Sequence, residues 1–492
     1  MVRKICLTTC LVILWTFLWN DAFPQQALTL EQCRQMALEH NQKIKIAQEN
    51  AGMATDLRKA AMTQFLPDFG FNGGYMYTNK KLNLMSENGF LPVVPYTAIS
   101  SDGTLDITKL TANDIVINPS TGKPVLDKNG NPVFQKYSYM PKESMSLDLR
   151  NIYTFGFAVT QPIFTGGKIV NLYKSSKYLE KIARSNQAME TSDLLYKVDE
   201  NYWKVISVQE KIKVADEYKK MLDKLLFDLE NLEKEGFIIT NDLLKARVKQ
   251  NEVELMQFKA GNGLVLSKMA LCQVIGLPLD SNVVLDDSIV PSSLSASNTD
   301  ITAKALSDRP EISILENNVN LANAGVNIMK SRFLPDIGMT AGYGWMNPSP
   351  YDGFSKEFGG AWTVGVVAKV PLWHWGERYR TLNSAEHQKK ISELKLDETK
   401  ELITLQARQA KFQYDESGKK LELTNRSLQQ AIDNLRVTND KFSEGMLKSG
   451  DVLEAQAAWQ KAYSEEIDAK IEIKINETNL KKVSGELSKE NK

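Results

Sequence analysis

The stretch FLPDFG, Phe65–Gly70, returns as FLPDIG at Phe333–Gly338. Five of six positions agree across an offset of 268 residues, and each copy stands between a long polar helical pattern and a short aromatic one. Such self-similarity is the mark of an internal repeat, and it extends outward. QPIFTGGK (Gln161–Lys168) matches VPLWHWGE (Val370–Glu377), with Pro162 over Pro371 and Gly167 over Gly376 at an offset of 209. EGFIITNDLLKA (Glu235–Ala246) matches EGMLKSGDVLEA (Glu444–Ala455) at the same offset, as do Gly276 and Gly485. The two offsets differ by 59 residues, so the first half carries an insertion between Gly70 and Pro162. Residues 78–144, rich in Asn, Pro, Ser, Asp and Gly, have the composition of a long loop and account for it.

Each half reads as helix, strand, loop, strand, very long helix, turn and helix. The first helix is expected from Thr29 to Phe65. Thr29 and Gln32 form a capping box. A heptad seam runs through Leu30, Cys33, Ala37, His40, Ile44, Ala47, Ala51, Ala54, Arg58, Ala61 and Phe65, mostly small and suited to close helix packing. The next helix starts after Gly167 and ends at Gly236, and its repeat runs from Gly376 to Gly445, with both turn glycines placed to end a helix. At 1.5 Å per residue each spans ~100 Å, too long for a compact globule.

Four segments alternate strictly. Phe69, Phe71, Tyr75 and Tyr77 oppose Gly70, Asn72 and Gly74. Leu147, Leu149, Tyr153, Phe155, Phe157 and Val159 oppose Ser146, Asp148, Arg150, Thr154, Gly156 and Thr160. Ile337, Met339, Tyr343 and Trp345 oppose Gly338, Thr340, Gly342 and Gly344, and Trp362, Val364, Val366 and Val370 oppose Thr363, Gly365 and Lys369. One face is apolar and aromatic, the other small or polar, and each segment is long enough to cross a bilayer as a tilted strand. Pro67, Pro162, Pro335 and Pro371 are expected at the four helix–strand hinges, where proline ends a helix and fixes φ. Phe65, Phe164, Phe333, Trp373 and Trp375 gather there as an interfacial aromatic belt would. Four strands cannot close a barrel, and open edges in lipid leave backbone groups unpaired, so the chain is expected to oligomerise.

The remaining signals bound the function. Residues 1–22 read as an export signal, with Arg3 and Lys4 before an apolar run from Ile5 to Trp19. Beyond it only Cys33 and Cys272 remain, both in helical patterns where unpaired packing suits them. Lys+Arg and Asp+Glu are each 60, so no net field attracts nucleic acid. His40, His374 and His387 are scattered and gather no metal ligands, so neither an enzyme nor a cofactor is expected. A periplasmic coiled-coil adaptor would share the export signal and heptads, but has no need of the four alternating strands.

In its duplicated halves, ALSDRPEI (Ala305–Ile312), the FLPD junctions, QPIF before the long helix and the paired EG turns, the chain resembles the TolC family of outer-membrane efflux proteins. The resemblance covers nearly the whole chain after residue 22. It implies a mostly α fold with a transmembrane β-barrel. Each chain would give four strands and long coiled-coil helices, and a homotrimer a twelve-stranded barrel on a helical barrel. It further implies the outer membrane of a Gram-negative bacterium, with outer-membrane lipid, a periplasmic adaptor protein and an inner-membrane transporter as partners. The function implied is passive export, of small molecules or of protein as in type I secretion.

On that basis the chain divides into the signal (1–22), an N-terminal helix (23–66), a first hairpin (67–163) with an extracellular loop (78–144), and the first long helix with its turn and return helix (164–276). A linker (277–301) follows. The second half has its own helix (302–334), hairpin (335–371) and long helix with turn and return helix (372–485), and a tail (486–492) ends the chain. The family closes its tip by an iris of helical turns ringed by acids, positions matched by Asp451 and Glu454. Its latch pairs a tyrosine and an arginine with an aspartate. Asp242, beside Asn241, matches the aspartate, whereas Phe442 and Leu447 stand at the other two positions with Lys448 adjacent. The latch is therefore expected to be altered.

Overall fold

A computed structural model describes residues 27–286 and 300–489, so the signal segment and most of the linker lie outside the described residues. The chain forms two compact units, one helical and one built on β-sheet.

In the helical unit, α1 (Leu30–His40) and α2 (Gln42–Thr63) are followed by α3 (Lys168–Lys234) and α4 (Thr240–Ile275). The second half repeats them as α5 (Ile301–Asp308), α6 (Pro310–Ser331), α7 (Glu377–Ser443) and α8 (Ser449–Val483). Both long helices have 67 residues and coincide under the 209 offset. Each starts behind a left-handed glycine, Gly167 or Gly376, and ends at another, Gly236 (φ 77°) or Gly445 (φ 71°). The next amides close the caps: Phe237 N donates to Leu232 O at 2.8 Å and Met446 N to Lys441 O at 2.9 Å, the six-to-one bond of a Schellman end. No helix among the described residues is long and apolar enough to cross a membrane.

The single first helix expected from Thr29 to Phe65 is two. The Thr29–Gln32 box caps α1, but the helix breaks at Asn41, whose side chain bridges the gap. Asn41 Nδ2 donates to Val274 O at 2.8 Å, and its Oδ1 accepts from Lys43 N at 2.8 Å. The second half breaks at the equivalent place, between Asp308 and Pro310. The seam survives the break, with Cys33, Ala37, Ile44, Ala47, Ala51 and Ala54 all buried, while His40 turns to solvent. Helix α3 is the hub, packing against α1, α2, α4, α6 and α8. At its centre Asp199, 1% exposed, receives Arg34 Nε at 2.8 Å, Arg34 Nη2 at 2.6 Å and the Thr478 hydroxyl at 2.7 Å, which ties α1, α3 and α8 together. Cys33 and Cys272 are buried, unpaired and part of one core cluster. Burial, with smaller contributions from Cys272 and Asp199, pushes the Cys33 thiol up to about 12.

The β unit holds an antiparallel sheet in the order β1 (Asp68–Tyr77), β6 (Asn151–Phe164), β7 (Asp336–Asn347), β8 (Gly359–Lys369). The segment between β1 and β6 is itself folded. β2 (Leu82–Asn83) pairs with β5 (Ser146–Leu147), and β3 (Gly89–Pro92) with β4 (Tyr137–Met140). Beyond them Val116 N donates to Val133 O, Val133 N to Val125 O and Val125 N to Val116 O, each at 2.8 Å, a cyclic trio over buried Ile115 and Phe134.

Two expectations about β6 are corrected. The strand begins at Asn151, so Leu147 belongs to the outer ladder. Pro162 is no hinge but lies inside β6, at a register shift between Pro162 and Phe164. Pairing with β1 stops at Thr160, so Pro162 has a strand on one side only, where proline's missing N–H is tolerated. Pro67, Pro335 and Pro371 do lie between helix and strand.

Candidate functional site: the sheet faces and the helical turns

The register aligns like with like across all four strands. Phe71 faces Phe157, Phe157 faces Tyr343 and Tyr343 faces Trp362. The adjacent row on the same face is Phe69, Val159, Ala341 and Val364. Aromatic rings touch across this face, Phe71 to Phe157 at 5.1 Å and, in a further row, Phe155 to Trp345 at 5.2 Å between centroids. Phe69 and Trp362 are each 75% exposed. A continuous apolar face of this size, fully presented, is built to be covered by something apolar.

The opposite face is small. Gly70, Ala158, Gly342 and Thr363 form one row, and Asn72, Gly156, Gly344 and Ala361 the next. A β-carbon on Gly156 would come within 2.6 Å of Tyr343 O, and one on Gly342 within 2.8 Å of Phe157 O, so the strands' close approach requires glycine there. Strands β1 and β8 each pair on one side only, leaving two open edges.

The helical turns share one apolar cluster. Leu225, Leu226 and Leu229 of α3, Leu243 and Ala246 of α4 and Val452 of α8 are buried together, with Phe442 packed against them. Where the resemblance puts a tyrosine, this chain thus has an apolar ring in an apolar contact. Asp451 is exposed near the start of α8, and its carboxylate caps that helix by accepting from Lys448 N at 2.9 Å. Lysine has no side-chain acceptor, so only this half of a capping box exists. Glu454, one turn on, is exposed. Asp242 occupies the matching first-turn position of α4, where its carboxylate meets Lys245 of its own helix at 3.5 Å. Asn241 and Lys448 are exposed beside these turns. Among the described residues, no group of His, Cys, Asp and Glu side chains gathers to hold a metal.

Sequence reasoning missed the Arg34–Asp199–Thr478 node and the tip cluster around Phe442. Nothing in spacing marks the first. For the second, the 3-4-3 spacing of Leu222, Leu225, Leu229 and Leu232 marks an apolar stripe near the end of α3, but not which helices it joins.

Residues 301–486 match the family model described as "Outer membrane efflux protein". The alkaline protease secretion protein AprF of Pseudomonas aeruginosa is 23% identical over 322 residues, 65% of this chain and 66% of that protein. The solvent efflux pump outer membrane protein SrpC of Pseudomonas putida is 25% identical over 150 residues, 30% of this chain and 32% of that protein. The chain thus aligns with one third to just under two thirds of the length of these relatives. The fold is that of the outer membrane protein VceC of Vibrio cholerae, with TM-score 0.71 and 14% identity over 93% of this chain and 96% of that one. Residues 301–486 are thus similar to outer membrane efflux proteins, and the duplicated helical hairpins with a four-stranded sheet give the chain the fold of the outer membrane protein VceC.

Proposed function

We propose that three copies of this chain assemble into a passive exit duct, each giving four strands to a twelve-stranded barrel in the outer membrane. One observation carries this reading: the sheet has one largely apolar and aromatic face, an opposite face of mostly small residues and unpaired edges on both β1 and β8. In lipid, unpaired edge groups cost several kcal/mol each, so the edges must be closed by other strands. The unpartnered apolar residues on α4 (Leu244, Val248, Leu255) and α7 (Leu402, Leu405, Phe412) supply further surface for neighbouring copies.

The duct carries no chemistry of its own. Cargo is delivered by an inner-membrane transporter through a periplasmic adaptor. The helical turns act as an iris, with Asp451 and Glu454 giving six carboxylates in the trimer, a cation-favouring constriction. Asp242, Asn241, Phe442 and Lys448 form the altered latch, held by packing around Phe442 in place of a tyrosine hydroxyl. Gly236 and Gly445 are the turns on which the iris moves, and Pro67, Pro335 and Pro371 join helix to strand. The mass of the detergent-extracted particle tests the reading: three chains are expected, and a freely soluble monomer without surfactant overturns it.

Small toxic molecules are the favoured cargo, as in the solvent efflux relative. A protein cargo is the second reading, favoured by the longer alignment with the protease secretion relative. Deleting the chain in its host separates the two. Heightened sensitivity to solvents and dyes supports efflux, and retention of a secreted polypeptide supports protein export.

A further inference from the structure

We infer that Tyr351 forms a second constriction, at the outer mouth of the duct, independent of the helical iris. The β7–β8 connection does not simply project from the sheet. Pro350 and Tyr351 share one concavity with the small-residue face, whose floor there includes Thr154, Gly156, Gly344 and Ala361. Beyond Tyr351 the chain turns back through left-handed Gly353 (φ 63°) and Phe354 (φ 60°).

The loop is held in this pose. Ser349 is fully buried, and its N–H donates to Ser355 O at 2.9 Å. Asn347 Nδ2 donates to Lys356 O at 2.8 Å, and Lys356 Nζ reaches Asp148 Oδ2 at 3.3 Å, which ties the loop to the first hairpin. Phe358 anchors on the opposite, apolar face, 5.4 Å from the Phe155 ring and 6.4 Å from that of Tyr153. With its stem fixed from the apolar side, the loop tip is left over the inner face, where Tyr351 is 64% exposed. The floor beneath is mostly glycine, alanine and threonine, with Asn72 and Met346 among them, and of the two loop residues that line the concavity, Pro350 and Tyr351, Tyr351 is the bulkier. Three-fold repetition would set three phenol rings around one axis, an uncharged aromatic and hydroxyl-bearing ring that selects by size and tolerates either sign of charge.

This inference rests on the duct reading, and its test separates the two. Wild type, Tyr351→Ala and Tyr351→Trp are reconstituted in planar bilayers, and polyethylene glycols of increasing size are added to one chamber at a time. Polymer added outside reports the outer mouth. The largest polymer admitted from outside is expected to grow in Tyr351→Ala and shrink in Tyr351→Trp, with no shift from the helical-tip side. In Tyr351→Cys, a membrane-impermeant thiosulfonate added outside is expected to lower the single-channel current. Normal channels with one outer cut-off in all variants, and no current loss on modification, overturn the inference alone. A wild type that conducts nothing overturns the duct as well.

Discussion

Gly276 lies directly against His40: a β-carbon on the glycine would stand 2.6 Å from His40 Cβ and 3.0 Å from its carbonyl carbon. Under the repeat offsets the same pair recurs as Gly485 and Asp308, where the added carbon would meet Asp308 C at 2.8 Å. Both glycines end a return helix with left-handed φ, 79° and 81°. Each thus seats the end of a long hairpin against the break in the helix that begins its half.

Substituting either glycine should therefore be costly for two independent reasons. Left-handed backbone strain alone is on the order of 1–3 kcal/mol for a non-glycine residue, and the clash with backbone atoms adds to it. Gly276→Ala and Gly485→Ala should each lower the thermal unfolding midpoint of the detergent-extracted protein, followed by far-UV circular dichroism. Unchanged midpoints in both variants would show that the turns can move apart freely.

This pairing shows how much of the fold was legible. Gly276 and Gly485 announced the repeat, but the second-half helix expected unbroken over 302–334 is two, with Pro310 opening the second, since proline accepts the first position of a helix but not its interior. No proline marks Asn41, so the first break was hidden. The 268 offset sets Asn41 over Arg309, so the two breaks are equivalent, but neither was read from the sequence. The strands were legible because alternation is a local property. Pro162 misled because a proline inside a strand is tolerated only where a neighbour is missing, and that is set by where β1 ends. At the tip, Asp451 could be read as a first-turn acid, but the cluster around Phe442 joins residues more than 200 positions apart in sequence.

The Arg34–Asp199 pair is two-pronged, and the buried Asp199 carboxylate also accepts from the Thr478 hydroxyl. Removing one member leaves a buried charge, which typically costs about 3–5 kcal/mol, whereas replacing both by apolar groups is often neutral. Asp199→Leu and Arg34→Met alone should each be strongly destabilising, and the double variant markedly less so. A double variant as unstable as the sum of the singles would mean the two do not interact.

Tyr218 is buried with no hydrogen-bond partner for its hydroxyl among the described residues. An unsatisfied buried hydroxyl costs about 1–3 kcal/mol, so Tyr218→Phe should raise the unfolding midpoint. Burial, aided by Glu252, pushes the phenol up to about 12. A folded value above the unfolded value of about 10 means that the neutral phenol favours the folded state. That contribution is fully present below pH 10 and declines as pH rises towards 12. Tyr218→Phe should therefore lose less stability than wild type over this alkaline window. A less stable phenylalanine variant would reveal a partner for the hydroxyl.

At the tip, two acids one helical turn apart have separable roles. Asp451 spends its carboxylate on the Lys448 amide, so Asp451→Ala should cost about 0.5–2 kcal/mol as a lost cap. Glu454 caps nothing and faces solvent, so Glu454→Gln should leave stability unchanged within about 0.5 kcal/mol. In the proposed trimer, however, Glu454 would contribute three of the six carboxylates at the proposed constriction. Reversal potentials under a salt gradient should shift away from cation preference in Glu454→Gln, and Asp451→Asn should shift them in the same direction. If Glu454→Gln leaves ion preference intact while Asp451→Asn alters it, the ring is made by Asp451 alone; if neither alters it, the acids serve helix ends and the constriction lies elsewhere along the turns.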